Sequence, residues 1–482
     1  MEGIFALDFG TSSLKAGLIG PGGNLLWSSS RVFPQVPDYS NWHSNQWLFT
    51  LEQVFSEFNR DRERLNLDHP EGVVVSGNGP TMVLLGKNYS RQRRGNWPVL
   101  LWMTSPDEAR EGEPSFYLPK LNHVSSSDPA LFQETTRVMS GPEYISWVIS
   151  GSEHTISPHG EFQPYIWTGE GVRNYGFPPE LFPPFVRPGT VTGEVDGVGS
   201  AITGLKEGTP VIAGGSDFFM SLLGTGVIEE GLTCDRAGTS EGINYCSASP
   251  VDNPHLRTLP HIIEGKYNVA GILSSTGRMF EWFRTFSHQR STSYQEMMEA
   301  ISRVSLDAPA PWFFPSVHHG SSWDFKGGIF AGLQPEHSSA ELGRAVVHAI
   351  GFSIRSALEY LSGENCKVNE MRSCGGQAKN PLWCQMKADI TGVRILVPRI
   401  KDAELSGCAV LGYSALGRFS GIAEAVEGLV SIEHVYEPDT GRSRQYQKKY
   451  IAWRESYEYI QEAAVHLPYL QDEAEQEDSG GR

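Results

Sequence analysis

Apolar residues at the start of the chain come in three short runs separated by glycine-rich breaks. Gly3 to Phe9 is apolar except for Asp8 near its end. Leu14 to Ile19 follows Gly10-Thr11-Ser12-Ser13, and Asn24 to Ser30 follows Gly20-Pro21-Gly22-Gly23. Short runs bounded by turn residues predict strand, tight turn, strand, tight turn, strand. Further on, Trp47, Leu48, Leu51, Val54, Phe55 and Phe58 recur at helical spacing and predict an amphipathic helix over 45–59. Gly72 to Ser76 reads as a buried strand closed by Gly77-Asn78-Gly79-Pro80. Residues 115–150 read mainly as helices with a loop near 125–129, and 177–189 as a proline-rich connector. Pro210 to Ala213 is a strand leading through Gly214-Gly215-Ser216-Asp217 into the apolar helix 218–223, with Ser216 as its N-cap.

The opening pattern then returns. Leu232 to Arg236 leads into Gly238-Thr239-Ser240 and a second run, Gly242 to Cys246, so Asp-x-Gly-Thr-Ser near residue 8 is echoed by Asp-x-x-Gly-Thr-Ser near residue 235. Both copies lie between short apolar runs and begin the two halves of the chain, which points to a structural repeat. An amphipathic helix over 341–361, a strand over 371–374, and helices over 380–391 and 405–416 complete the pattern.

Length and charge narrow the function classes. At roughly 100–200 residues per domain, 482 residues suggest two to four domains. With 39 basic and 56 acidic residues, the net charge of −17 disfavours a nucleic-acid partner. No uncharged apolar run approaches the ~18–20 residues that span a bilayer, and Asp8 and Lys15 interrupt the N-terminal apolar stretch, so neither a membrane partner nor a signal peptide is expected. Six cysteines without a CxxC pair fit reduced thiols of a cytoplasmic protein rather than a disulfide framework or zinc ribbon. The last eleven residues carry five acids and read as the end of a disordered tail, 466–482.

Candidate chemistry gathers at the glycine turns. In a Gly-Thr-Ser turn the backbone N–H groups and hydroxyls can converge on an anion. The spacing GxxxxGK[ST] and the following helix of a P-loop are absent. An ordinary hairpin explains one such turn; two, with Asp8 in place, favour phosphate binding, and Lys15 stands within reach of the first. A carboxylate beside phosphates calls for a cation between them, which makes Asp8 a Mg2+ candidate, with turn capping as the plainer role. Asp217, heading a helix, is either a capping carboxylate or a base for a hydroxyl. Gly375-Gly376 before a helix allows close approach to a flat ligand or is a simple strand-to-helix turn. Trp102 closes the strand 98–101, as core or as a stacking surface. His318-His319 lacks the spacing of a metal motif and reads as surface or hydrogen-bonded histidines.

Taken in order, LDFGTSSLKAGLI, SFYLPK, SGPEYISWVISG, GTPVIAGGSDFFMSLLGTG, AGTSEGINY, FAGL, GGQAKNPLWCQMKADITGVRI and ELSGCAVLGYSALG resemble the FGGY family of carbohydrate kinases over roughly residues 3–455. The resemblance implies an α/β protein of two actin-like ATPase (ribonuclease H-like) domains, each a mixed sheet flanked by helices, with a cleft between them. The N-terminal domain would span 1–231 and the C-terminal domain 232–465. It implies ATP and Mg2+, with Asp8 helping to hold the hydrated ion. Thr11, Ser12, Ser13 and Lys15 match the first phosphate loop and Gly238 and Thr239 the second. Gly277, Glu281, Gly376 and Asn380 fall at the family's ATP contacts, and Asp217 on the general base for the acceptor hydroxyl.

The acceptor side departs from the family. Asn78, Gly79 and Pro80 stand where Gln and large polar side chains are usual, Met103-Thr104 follows Trp102, and Phe218 follows the base. With Asn78, Gly79, Trp102, Asp217 and Phe218 as candidate substrate residues, the pocket suits a sugar, polyol or related molecule of lower polarity. A weakly catalytic nucleotide- and sugar-binding sensor is the alternative. Relatives are often homodimers, and no exposed stripe in the sequence marks such an interface.

Overall fold

Strand β1 (Ile4–Phe9) is buried along its whole length because it has a strand on each side and helices over both faces. It pairs antiparallel with β2 (Ser13–Ile19), which pairs antiparallel with β3 (Leu25–Val32), and parallel with β4 (Gly72–Gly77). With β5 (Val191–Glu194) and β6 (Pro210–Ser216) they form a sheet in the order β5-β6-β4-β1-β2-β3. This is a computed structural model that describes residues 2–34, 42–92, 95–104, 112–316 and 325–464; His318-His319 and the acidic tail lie outside them.

One face of this sheet is covered by the helix Ser44–Leu65, whose buried residues include the predicted stripe of Trp47, Leu48, Leu51, Val54, Phe55 and Phe58. Phe5 stacks on Phe55 at 4.9 Å between ring centroids. The helix runs past the predicted end at 59. Residues 60–64 are charged and polar without a breaker, and the chain turns only at Asn66, in a left-handed conformation (φ 52°). Against the sheet also pack the helices Asp217–Thr225 and Ala403–Ala415. These two helices touch backbone to backbone. A Cβ on Gly224 would lie 1.8 Å from the Ala403 carbonyl oxygen, and one on Gly407 2.0 Å from that of Met220.

Residues 115–150 are less helical than the sequence suggests. The strand Thr135–Ser140 separates the helices Leu118–Ser127 and Pro129–Glu134 from Gly141–Ser150. Its Thr-Thr-Arg-Val run favours extended backbone and pairs antiparallel with Met82–Gly86.

A second sheet repeats the first. Strands β7 (Thr233–Ala237), β8 (Glu241–Ser247), β9 (Arg257–Pro260), β10 (Tyr267–Leu273), β11 (Glu370–Gly375), β12 (Arg394–Pro398) and β13 (Ile432–Tyr436) lie in the order β9-β10-β8-β7-β11-β12-β13. Without the extra edge strand β9, every neighbour relation matches. β7 is antiparallel to β8 and parallel to β11, β8 is antiparallel to β10, β11 is parallel to β12, and β12 is antiparallel to β13. The first sheet has the same relations among β1, β2, β4, β3, β6 and β5. Asp8 faces Ser76 across β1 and β4, and Asp235 faces Ser373 across β7 and β11. The helix Ser339–Gly363, started by a Ser338–Glu341 capping box, supplies much of the second core.

By packing, the chain divides into one unit of residues 1–228, 260–266 and 402–431 and another of 229–259, 267–401 and 432–482. The sequence reading placed 402–431 in the second domain; the Gly224 and Gly407 contacts draw that segment to the first. All six cysteines are buried free thiols. Among the described residues no helix is long and apolar enough to cross a membrane.

Candidate active site

In the first unit the Gly-Thr-Ser turn is a tight hairpin. Gly10 N–H donates to the Ser13 carbonyl at 3.0 Å, and Phe33 N–H to that of Ser12 at 2.9 Å. Ser12 is exposed and Thr11 and Ser13 are half-buried. Asp8 is 3% exposed at the end of β1, and its Oδ1 accepts from Ser76 Oγ at 3.2 Å. Burial, and next the Glu404 carboxylate, push the Asp8 carboxyl up to about 8; Asp217 adds to the rise, while Lys15 and Ser76 oppose it.

Lys15, one strand over, does not stand free for a phosphate. Its Nζ lies 3.1 Å from Asp402 Oδ1 and 3.8 Å from Glu404 Oε2. Burial disfavours its charge, but Glu404, Asp8 and Asp402 outweigh this and hold the ammonium above the usual lysine range. Glu404 was missed by the sequence reading. It is 6% exposed, accepts from Ser221 Oγ at 3.1 Å through Oε1, and has no hydrogen-bond partner at Oε2. Its one signal was the pattern already seen at Asp217, a carboxylate in the first turn of an apolar helix.

Asp217 opens its helix and is half-buried. Ser216 takes the N-cap position, but its hydroxyl caps nothing and is buried without a partner. The turn at Asn78–Pro80 comes close: a Cβ on Gly79 would sit 3.2 Å from Ser216 Cβ. Asn78 is committed internally, donating from Nδ2 to Thr11 Oγ1 at 3.1 Å and accepting from Thr81 Oγ1 at 3.0 Å. Trp102 is not core. It is 41% exposed, and its Nε1–H donates to Thr11 Oγ1 at 2.9 Å. Phe218 is half-buried with its ring 4.0 Å from that of Phe219. Hydrogen bonds thus gather Thr11, Asn78 and Trp102 at the hairpin, and the Gly79 turn lies against Ser216, the residue before Asp217.

Beneath this group lies a second unforeseen residue. Lys120, 4% exposed, donates to the carbonyls of Pro80 at 3.0 Å, Leu101 at 2.9 Å and Trp102 at 2.8 Å. Burial pulls its ammonium down to about 8. In sequence it was one lysine in a helical stretch, and nothing marked its three carbonyl partners.

In the second unit Gly238 N–H donates to the Ser240 carbonyl at 2.8 Å, closing the other Gly-Thr-Ser loop. The helix Thr276–Phe286 abuts it: Arg278 N–H reaches the Thr239 carbonyl at 3.1 Å, and a Cβ on Gly277 would fall 2.1 Å from the Gly238 carbonyl oxygen. Gly376 is exposed, with open space where a Cβ would stand. Asn380 caps the helix Pro381–Thr391, its Oδ1 accepting from Trp383 N–H at 3.1 Å. Glu281 accepts from Arg284 Nη1 at 3.1 Å and from Tyr294 Oη at 2.5 Å. Gly238, Thr239 and Gly277 are therefore in direct contact. Gly376 and Asn380 flank the turn 377–379, whose Gln377 Nε2 donates to Thr276 Oγ1 at 3.3 Å.

A sheet topology used twice, each copy with an aspartate-bearing strand that leads into a Gly-Thr-Ser turn, is that of the actin-like ATPase fold. Comparison with known proteins shows what the chain is similar to. Residues 236–416 match the C-terminal domain of the FGGY family of carbohydrate kinases. A xylulose kinase of Staphylococcus epidermidis is 23% identical over 97% of this chain and 98% of its own length. An autoinducer-2 kinase of Escherichia coli is 26% identical over 71% of this chain and 68% of its own. The crystal structure of a ligand-bound xylulose kinase from Lactobacillus acidophilus superposes with a TM-score of 0.79 at 19% identity, covering 97% and 99% of the two chains. Residues 236–416 thus match an FGGY-family domain, the chain as a whole is similar to sugar kinases, and it is a carbohydrate kinase.

Proposed function

We propose that the enzyme transfers the γ-phosphoryl group of ATP to a hydroxyl of a sugar, polyol or related small molecule, with Asp217 as general base. The observation that carries this is the placement of Asp217 at a helix N-terminus, directly after Ser216, against which the Gly79 turn packs while Asn78 ties that turn to the Gly-Thr-Ser hairpin. A helix N-terminus favours an ionised carboxylate. Such a carboxylate orients an acceptor hydroxyl and takes its proton as the oxygen attacks the phosphorus in line and the bond to ADP breaks.

The acidic group fits a hydrated divalent ion better than a bare one. Among the described residues no three His, Cys, Asp or Glu side chains are arranged to hold a metal. Asp8, and Glu404 whose buried Oε2 accepts no hydrogen bond, suit Mg2+ that keeps most of its waters. Bound there, Mg2+ would neutralise charge on the transferring phosphates. Lys15 balances Asp402 and Glu404 and keeps the cluster from repelling the nucleotide outright. On the acceptor side, Asn78 is turned inward and Phe218 stands beside the base. That supports an acceptor with fewer hydroxyls to satisfy than a hexose, and xylulose and autoinducer-2, named by the relatives, belong in the first panel.

The test is ADP release from MgATP against ketoses, aldonates, pentitols, glycerol and autoinducer-2. One acceptor should raise turnover well above the basal rate, and Asp217→Asn should lower it by about 10²–10⁴-fold with MgATP binding kept. Unchanged turnover in that variant would remove Asp217 from the role.

A further inference from the structure

The second unit buries three charged side chains directly behind its Gly-Thr-Ser loop. Lys387, on the helix Pro381–Thr391, places Nζ 2.5 Å from Asp235 Oδ2 and 2.7 Å from Glu241 Oε1, with none of the three more than 1% exposed. Asp235 precedes the loop on β7 and Glu241 follows it on β8, so the ammonium clamps both ends of the hairpin. Ser373 Oγ donates to Asp235 Oδ2 at 2.6 Å, as Ser76 does to Asp8 in the first sheet. In the first unit Lys15 meets Asp402 and Glu404; here the lysine contacts the aspartate that precedes the loop.

The network continues outward. Glu241 Oε2 accepts from Gln377 Nε2 at 3.2 Å, the same amide donates to Thr276 Oγ1 at 3.3 Å, and Gln377 Oε1 accepts from Trp383 Nε1. The loop 238–240, the turn that starts the 276–286 helix and the turn at 375–377 are thereby tied to one buried ammonium. Burial raises the Glu241 carboxyl to about 8; Lys387 opposes this and the Asp235 charge adds to it. Buried ion groups are a weak source of stability, because desolvation offsets their attraction. Their position under three turns that carry the nucleotide candidates Gly238, Thr239, Gly277 and Gly376 calls for a different account.

We propose that Lys387 is a positioning residue for the nucleotide, holding through Glu241 and Gln377 the three turns of the second unit in the arrangement that receives the phosphates and the adenosine of ATP. This rests on the reading of these turns as the ATP side of a kinase. Without the ammonium, Glu241 loses its inner anchor and Gln377 loses a fixed acceptor. The second phosphate loop is then free to drift from the Thr276 turn.

The test separates nucleotide from acceptor. Lys387→Met should raise the Kd and KM for MgATP by about tenfold or more, the scale of one or two lost charge-assisted hydrogen bonds. The KM of the acceptor should stay unchanged, and kcat at saturating MgATP should stay within about threefold. Gln377→Leu, which cuts the same link without unbalancing a buried charge, should shift the MgATP values in the same sense. It serves as the decisive variant if Lys387→Met does not fold. Combining Lys387→Met with Glu241→Gln, whose amide can donate to Asp235 and accept from Gln377, should restore most of the affinity. Equal MgATP affinity in Gln377→Leu and the native enzyme, or an equal rise in both KM values, would overturn the proposal. A native enzyme that binds MgATP but answers to no acceptor would refute the acceptor reading and leave the binding comparison intact. One that binds no nucleotide would overturn both.

Discussion

Replacing Gly277 with alanine tests the join between the 276–286 helix and the second Gly-Thr-Ser loop. The added Cβ would lie 2.1 Å from the Gly238 carbonyl oxygen, 3.0 Å from its carbonyl carbon and 3.2 Å from Thr239 Cα. Real Cβ atoms essentially never approach a heavy atom within 3.0 Å, and here the obstacle is backbone, which has no rotamer to yield. The loop or the helix start must therefore move by about 1 Å, and shifts of that size at a reacting site cost ~10²-fold in rate. The Arg278 N–H bond to the Thr239 carbonyl, 3.1 Å in the native chain, is strained by the same movement. Overpacking should also lower stability by ~1–3 kcal/mol. The assay is kcat/KM for MgATP at saturating acceptor, with Tm alongside. The expected result is a fall of ~10²-fold in kcat/KM with a small drop in Tm. Gly363→Ala is the internal control: open space surrounds its Cβ position at the end of the 339–363 helix, so the fold should accept alanine without loss. Gly277→Ala with kcat/KM within twofold of native and an unchanged Tm would refute the reasoning.

Lys120→Met removes the one donor shared by the Pro80, Leu101 and Trp102 carbonyls. Left unsatisfied and buried, these should cost about 1–3 kcal/mol, and loosening of the 78–80 turn and Trp102 should raise the acceptor KM more than that of MgATP. Unaltered steady-state constants and Tm would argue against this. Three buried histidines should also draw on stability in mild acid. Burial lowers His154 and His261 to about 4 and His348 to about 3, so the folded histidines stay neutral where unfolded ones, near 6.5, take up protons. Their contribution is then fully present above pH 6.5 and is lost as pH drops towards 4, up to ~3 kcal/mol for each histidine. A Tm series from pH 7.5 to 4.5 should be flatter for His348→Phe, whose ring would remain between Phe352 and Tyr446; parallel curves would exclude His348 as a source.

Local chemistry told most where the chain was locally decided. The first hairpin follows from apolar runs cut by Gly10 and Gly20, and the 44–65 helix from one unbroken apolar stripe. The echo of Asp-x-Gly-Thr-Ser anticipated a topology shared strand for strand by two sheets. Long-range contacts hid the rest. Lys387 meets partners 146 and 152 positions away, and Glu404 meets Ser221 183 positions away. A charged residue on a helix reads as a solvated one until its neighbours from elsewhere in the chain are known. The strand Thr135–Ser140 is short, and the helical residues on both sides masked it. Segment 402–431 follows a run of second-unit sequence without any break in composition, so only the close helix contact at Gly224 and Gly407 reveals where it belongs.

That return of 402–431 to the first unit bears on how the chain is made. Synthesis delivers Asp8, Lys15 and Asp217 early, but the first sheet gains the 403–415 helix only once residues beyond the whole 267–401 stretch have emerged. Until then the apolar surface around Gly224 is exposed and Lys15 lacks Asp402 and Glu404. A truncation at 231 would yield a sheet without its cover and an acidic cluster without Asp402 and Glu404. The nascent chain therefore closes its first unit only after most of the second has emerged, and residues from 432 onward then complete the second.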